Sequence, residues 1–467
     1  MKITLALAAG AASVLASPAT GRNQFSESSY SAEDVIKRDF AIIGGGAAGT
    51  YAAISLADKN KTFTLVEITN RLGGHARTFT DPARGVNVDF GVQLYLDTPV
   101  VRDFFNRLDT PLANFNPAYF GNPNYFDFTK QIRVNNYSQG TLGTDYVAQL
   151  DRYPYLENGI DLPNPVPADL LLTWPEYIEK YNLGDSAESI FATPANPGDV
   201  LQDLALYMFN DLNHVMLQED QGAAILNANY DNSELYVKAL AEIRDNVLLK
   251  SSVTATKRGT DAKSGVKVVV NTPTGNKLIV AKQLILAMPP LLNNTKQFDL
   301  DAQEQKILAQ INGKYYYGGV VNNTGLENGN GYINVGANTP YHVASLPGVV
   351  QFTPSSAPGY FFYWYNTLQA QTKSQVESAT RDTIKWLQNQ INGTSAVEPE
   401  FVDFEDFSPF HLEASKSDIA NGFYRKMNGL QGHRNTWYIG SLFVVGTSQV
   451  WNNTKNMLPE IIAAAQL

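Results

Sequence analysis

Gly44, Gly46 and Gly49 stand in the spacing Gly-x-Gly-x-x-Gly, between the apolar run Phe40-Ala41-Ile42-Ile43 and the helical stretch Thr50 to Ala57. The chemistry of that arrangement is phosphate binding. Gly44 permits a tight turn, Gly46 lets backbone approach a pyrophosphate, and Gly49 allows helix and strand to pack closely. Gly45 and Ala48 complete the small-residue loop. The helix N-terminus adds N–H groups and positive potential. A second strand, Phe63-Thr64-Leu65-Val66, ends at Glu67, about 20 residues on, where an acid can accept from ribose hydroxyls. Strand, glycines, helix, strand and acid, in that order, predict a βαβ dinucleotide-binding unit.

Arg71-Leu72-Gly73-Gly74-His75 follows at once. Two glycines there allow a second close backbone approach, and Arg71 supplies a cation for phosphate. Glu-x-x-x-Arg-x-Gly-Gly resembles the flavin amine oxidase superfamily, whose next residue is usually Arg rather than His75. Val88-Asp89-Phe90-Gly91 resembles its Asp-x-Gly segment near the flavin. Trp437-Tyr438-Ile439-Gly440-Ser441 resembles its C-terminal flavin motif. The resemblance implies FAD as cofactor and an interleaved two-domain α/β fold. In that fold a Rossmann-type FAD domain alternates in sequence with a mixed α+β substrate domain. It further implies that the backbone at Val253 meets adenine and that a final helix, near Asn453 to Ala465, points at the flavin.

A closer similarity lies in Arg71 to His75, Tyr153-Pro154-Tyr155-Leu156, Asp161-Leu162-Pro163 with Pro165-Val166-Pro167, and Asn232-Ser233-Glu234-Leu235-Tyr236. These resemble the secreted fungal FAD oxidocyclases of the β-cyclopiazonate dehydrogenase group. That group implies oxidation, by desaturation or oxidative cyclisation, of a secondary-metabolite intermediate. It also implies a histidyl-linked flavin. Of His75, His214, His342, His411 and His433, only His75 lies in a cofactor motif. Two roles stay open for it: phosphate or ribityl contact, and a covalent bond to the flavin.

The superfamily's lysine near flavin N5 falls, by this resemblance, at Lys314 or Tyr317, and the better register is Tyr317. Tyr316 and Tyr317 are then candidate catalytic donors or aromatic walls, with core packing as the alternative. Gln93, just past the Asp-x-Gly segment, is a candidate polar contact at the flavin face. A cavity walled by such aromatics suits a flat, apolar or aromatic small molecule. No second Gly-x-Gly-x-x-Gly follows a strand, so no NADPH domain is expected, and oxygen or another acceptor takes the electrons. Amine or amino-acid oxidation and redox-neutral isomerisation are the alternative activities.

The 467 residues carry a net charge of −10, 17% charged residues and no cysteine. The negative balance and the absence of a basic run argue against nucleic acid as partner. Zero cysteine excludes thiolate nucleophiles, cysteinyl flavin links and zinc–cysteine sites. No run reaches the length of a transmembrane helix. Met1-Lys2, the apolar Ile3 to Leu15 and Val14-Leu15-Ala16 predict a secretory signal over 1–16 and a secreted protein. A polar leader over 17–37 is expected to be disordered, and Lys37-Arg38 reads either as a processing site or as the opening of the first strand. FAD segments are expected over 38–100, 231–298 and 401–467, with substrate inserts over 101–230 and 299–400. Sequons at Asn60, Asn136, Asn293, Asn322, Asn392 and Asn452 are compatible with glycosylation.

Overall fold

Phe40, Ala41, Ile42, Leu284, Ile285 and Leu286 have no exposed surface. Continuous apolar runs of this kind form strands covered on both faces, as in parallel sheets. The computed structural model describes residues 22–135, 137–140, 142–191, 197–218, 224–261, 263–391 and 397–466. Its first sheet runs in the order Val247–Leu248, Phe63–Val66, Val35–Ile43, Gly275–Leu286, Val266–Thr272, Ser252–Arg258, and Thr436–Tyr438 also joins Gly275–Leu286. Ile42 lies between Leu65 and Ile285 in parallel register, and Ile285 pairs in turn with Trp437. Three distant segments therefore build one nucleotide-binding sheet. The helix Ala47–Asp58 covers it, and the terminal helix Thr447–Ala464 packs alongside, Tyr51 stacking on Trp451 at 6.3 Å.

The second sheet has eight strands. Its main path is Glu400–Asp406, Asn312–Asn322, Phe361–Thr367, Gly348–Pro354, Asn330–Asn334, Asn122–Asp127 and Ile132–Arg133, with Phe410–Glu413 paired to Asn312–Asn322. The helix Lys373–Ile391 closes one face through Val376, Ile384 and Leu387. The other face meets Val88 and Phe90 of the nucleotide domain. Among the described residues no helix is long and apolar enough to cross a membrane.

Several expectations are corrected. The stretch 17–37 is structured from Arg22 onward, in three short 3-10 helices, and the first strand starts at Val35. Lys37 and Arg38 lie inside that strand, opposite Val280 and Ala281, rather than at its opening. The substrate sheet does not stop at residue 400, because Glu400–Asp406 and Phe410–Glu413 both pair with Asn312–Asn322. The terminal helix begins at Thr447, not near Asn453. The signal expected over 1–16 lies outside the described residues, as do the sequon residues Asn136 and Asn392.

The hairpin Thr78–Asp81/Val86–Asp89 is tied to the helix Asn232–Ile243 by one buried carboxylate. Asp89 accepts from Thr78 Oγ1 at 2.5 Å and from the Asn232 amide at 2.9 Å. Burial outweighs these bonds and pushes its pKa up to about 7. A carboxyl raised in the folded state favours folding while protonated, and that contribution is lost as pH rises from the unfolded value through the folded one. Replacing Asp89 with Asn is therefore expected to flatten stability between about pH 4 and pH 7 relative to the parent. Urea unfolding of both proteins across that range checks this.

Candidate active site

The first glycine loop is held by contacts that admit no side chain. A Cβ on Gly49 would lie 1.9 Å from the Gly44 carbonyl oxygen, so only glycine lets the helix Ala47–Asp58 start against the strand. Gly46 caps that helix without a side-chain hydrogen bond. Its first-turn N–H groups are thus of the kind an anion takes up. Gly46 and Gly74 face each other: a Cβ built on Gly46 would find only the Gly74 Cα, at 3.9 Å. Two glycine loops with nothing but backbone between them form a cradle that side chains would fill, and its shape and polarity fit a pyrophosphate.

The flanking residues converge on this cradle. Glu67 is 9% exposed and accepts from the Gly45 amide at 2.7 Å and the Thr69 amide at 2.8 Å. The remaining lone pairs of its carboxylate can take ribose hydroxyls. The amides of Lys250 and Ser251 donate to the Thr69 and Glu67 carbonyls, which brings the strand carrying Val253 beside Glu67. Gly440 adopts φ +108°, and a Cβ there would touch Ala48 Cβ at 3.6 Å. Ser441 follows at an exposed position before the terminal helix. Gly73 packs on the ring of Tyr236, a contact that the helix supplies and the glycine motif did not reveal.

Arg71 braces the loop in which it stands. Its guanidinium donates to the carbonyls of Leu72 (3.1 Å), Gly74 (2.6 Å) and Ala76 (3.0 Å), fastening the second glycine loop. His75 is exposed at the cleft wall, with protein dense around it. Its ring stacks on Phe410 at 5.5 Å and meets Phe407 edge-on at 5.3 Å. Desolvation, with Arg71 nearby, pushes its pKa down to about 4, so the imidazole is neutral at pH 7. Gln93 accepts from Tyr119 Oη at 3.4 Å, and its buried Nε2 has no partner among the described residues.

The strand Asn312–Asn322 separates the two tyrosines. Tyr316 faces the nucleotide domain, its ring 5.1 Å from Phe410 and 6.2 Å from Phe407. Tyr317 points to the opposite face, stacks on Phe404 and accepts from the Gln371 amide at 2.8 Å. Tyr317 is thus a core residue, and the register that placed it at the flavin is wrong by one residue. Lys314 shares the face of Tyr316. Its Nζ donates to both oxygens of Asp203 at 2.7 Å, so its charge is already paired. Phe407 and Phe410 are the site residues that sequence reasoning missed. They sit in Glu405-Asp406-Phe407-Ser408-Pro409-Phe410, which matches no motif, and pairing with a strand about 90 residues earlier brings them here.

Residues 42–108 match the model of the NAD(P)-binding Rossmann-like domain. An FAD-dependent oxidoreductase of Emericella nidulans is 52% identical, over 98% of each chain. The chain belongs to this family of FAD-dependent oxidoreductases. A Monascus ruber member is 38% identical over 92% of this chain and 93% of its own. The β-cyclopiazonate dehydrogenase of Aspergillus oryzae is 31% identical over 93% and 95%. The oxidoreductase also shares its fold with a fatty acid isomerase from P. acnes, at 18% identity and a TM-score of 0.71 over 91% and 98% of the two chains. An engineered putrescine oxidase gives 15% and 0.65 over 92% and 99%. The amine-oxidase-like two-domain architecture expected from the glycine motifs is the one observed.

Proposed function

We propose that this oxidoreductase oxidises an apolar or aromatic secondary-metabolite intermediate, by desaturation or oxidative cyclisation, with oxygen or another acceptor taking the electrons. The observation that carries the reading is the wall of Tyr316, Phe407 and Phe410 around a neutral His75, with Lys314 neutralised by Asp203. Bound FAD supplies the hydride acceptor. Gly46, Ala48, Gly74 and the first turn of the helix Ala47–Asp58 would hold its pyrophosphate, Glu67 its ribose, the Val253 strand its adenine, and Gly440 and Ser441 the neighbourhood of its ring. The aromatic wall orients a flat substrate and excludes water. Gln93 Nε2 offers a donor to a carbonyl oxygen.

His75 is the residue on which this reading turns. A neutral imidazole keeps one N–H, which can donate to a phosphate oxygen, and one nitrogen lone pair, which can form a covalent bond to the flavin. We place the covalent bond first, because His75 alone among the five histidines lies in a cofactor motif and its side chain is exposed at the cleft wall. In acid-denatured protein the yellow chromophore is expected to stay with the chain and map by peptide mass to His75. In His75→Ala it should be released as free FAD. Free FAD from the parent protein would remove the covalent role and leave the cofactor unchanged.

The proposal includes entry to the secretory pathway, supported by the basic, apolar and small-residue pattern of residues 1–16. Ser17 is the expected N-terminus of the mature chain, readable by N-terminal sequencing. Asn60 and Asn293 are exposed enough to carry glycans, whereas Asn452 is half-buried and donates to Asn158 Oδ1 at 2.7 Å.

A further inference from the structure

The aromatic wall does not end at Phe410. Tyr119 and Phe120, from the 3-10 helix Pro117–Phe120, pack on the same cluster as Tyr316 and Phe407. Tyr119 is tied inward. Its hydroxyl donates to Gln93 Oε1 at 3.4 Å, and the neighbouring Val92 amide donates to the His75 carbonyl at 3.2 Å. The Tyr119 ring is 5.6 Å from that of Tyr230 and lies within 4° of parallel to it. A stacked aromatic pair therefore continues the wall outward from the His75 loop.

Tyr230 is the member that packing does not explain. It is 37% exposed, and its backbone is left-handed, at φ +52°. That conformation suits Gly, Asn and Asp and disfavours a bulky aromatic residue. Its neighbours nevertheless force it. Asn227, with no exposed surface, donates to the Asp231 carbonyl at 2.6 Å and accepts from the Asn229 amide at 2.7 Å. The Tyr230 amide donates to the Asn227 carbonyl at 2.9 Å, and Asn229 Nδ2 donates to Glu234 at 2.9 Å. Strain that the surroundings over-determine is characteristic of ligand clamps and active sites. A flat ring is the partner that a pair of parallel rings recognises.

We infer that Tyr230, stacked on Tyr119, forms an outer subsite for a planar aromatic ring of the substrate and so selects aromatic over saturated ring systems. This rests on the aromatic wall of the proposed function, which it extends by one subsite. The test is calorimetric titration of the flavin-loaded protein with β-naphthol and with decahydro-β-naphthol, which has the same carbon skeleton but no flat ring. β-Naphthol should bind saturably and about tenfold more tightly than its saturated analogue. Tyr230→Asn keeps a residue that accepts the left-handed turn and removes the ring. It should weaken β-naphthol about tenfold and change decahydro-β-naphthol by less than about twofold. It should also unfold at a urea concentration no lower than the parent's, because the strain is relieved. Tyr230→Phe should retain β-naphthol affinity. A lowered urea midpoint or misfolding in Tyr230→Asn would make the pair a structural stack and overturn the inference. Unchanged β-naphthol affinity in that variant, or equal losses for the two probes, would overturn it too. Phe410→Leu separates this subsite from the wall itself. Weakening by Phe410→Leu and not by Tyr230→Asn removes the subsite and keeps the wall. Weakening by neither, or no saturation of the parent by ~5 mM, removes both.

Discussion

Gly49→Ala is expected to abolish the flavoprotein, and Gly46→Val to abolish flavin binding while leaving the chain folded. The two glycines lie three residues apart in one loop, but they are required for different reasons. At Gly49 the added carbon would sit 1.9 Å from the Gly44 carbonyl oxygen and 3.2 Å from Ala287 Cβ. Neither neighbour is the mobile end of a side chain. The helix must move off the sheet, and overpacking that displaces backbone costs more than the roughly 1–3 kcal/mol of an ordinary extra methylene. The urea midpoint should fall and the visible flavin absorbance should be lost together. At Gly46 the nearest atom to a Cβ is 3.9 Å away, across the gap to Gly74. Valine fits that gap in the protein alone and occupies the volume where phosphate would lie. The expected result is a loss of FAD affinity of at least ~100-fold with an unfolding transition close to the parent's. Full flavin occupancy in Gly46→Val would show that the cradle does not hold the cofactor.

The nucleotide domain was legible because its signals are local. Gly44 to Glu67 span one βαβ unit, and the run Phe40 to Ile43 is apolar throughout, as a strand buried on both faces must be. The substrate wall was not legible, for a reason visible at Tyr315-Tyr316-Tyr317. Three like residues in a row carry no alternation, so nothing in the sequence says which faces the cleft. A one-residue slip reverses every side chain of a strand. The structure settles it by pairing Tyr316 with Asn366 and Tyr317 with Tyr365, partners about 50 residues away. Phe407 and Phe410 were hidden in the same way, beyond a boundary drawn at residue 400 that the sheet does not respect. The stretch 22–34 was misread because polar composition suggested disorder. Its order comes from tertiary contacts such as Lys267 Nζ to the Phe25 carbonyl and Lys277 to Asp34.

Glu304→Ala is expected to cost about 3–5 kcal/mol of stability, although Glu304 lies in no motif. Glu304 and Arg258 have no exposed side-chain surface and meet through two hydrogen bonds, at 2.6 and 2.8 Å. Arg258 also binds Asp299 at 2.9 Å and Thr436 Oγ1 at 3.1 Å, while Arg434 binds Asp299 at 2.6 Å. Tyr438 Oη donates to Glu304 at 3.2 Å. This network joins the strand Ser252–Arg258, the start of the second insert and the strand Thr436–Tyr438, three pieces brought together from distant parts of the chain. Truncating Glu304 leaves a buried guanidinium with half its partners, and that uncompensated charge is the source of the cost. Replacing both partners with apolar residues of similar size, Arg258→Met with Glu304→Leu, should recover most of the loss, since the pair's attraction largely offsets its own desolvation. Because Thr436–Tyr438 leads directly into Gly440, the single variant should also release flavin at a lower urea concentration than the parent. A midpoint shift worth less than about 1 kcal/mol in Glu304→Ala would mean that burial of this network is incomplete in solution.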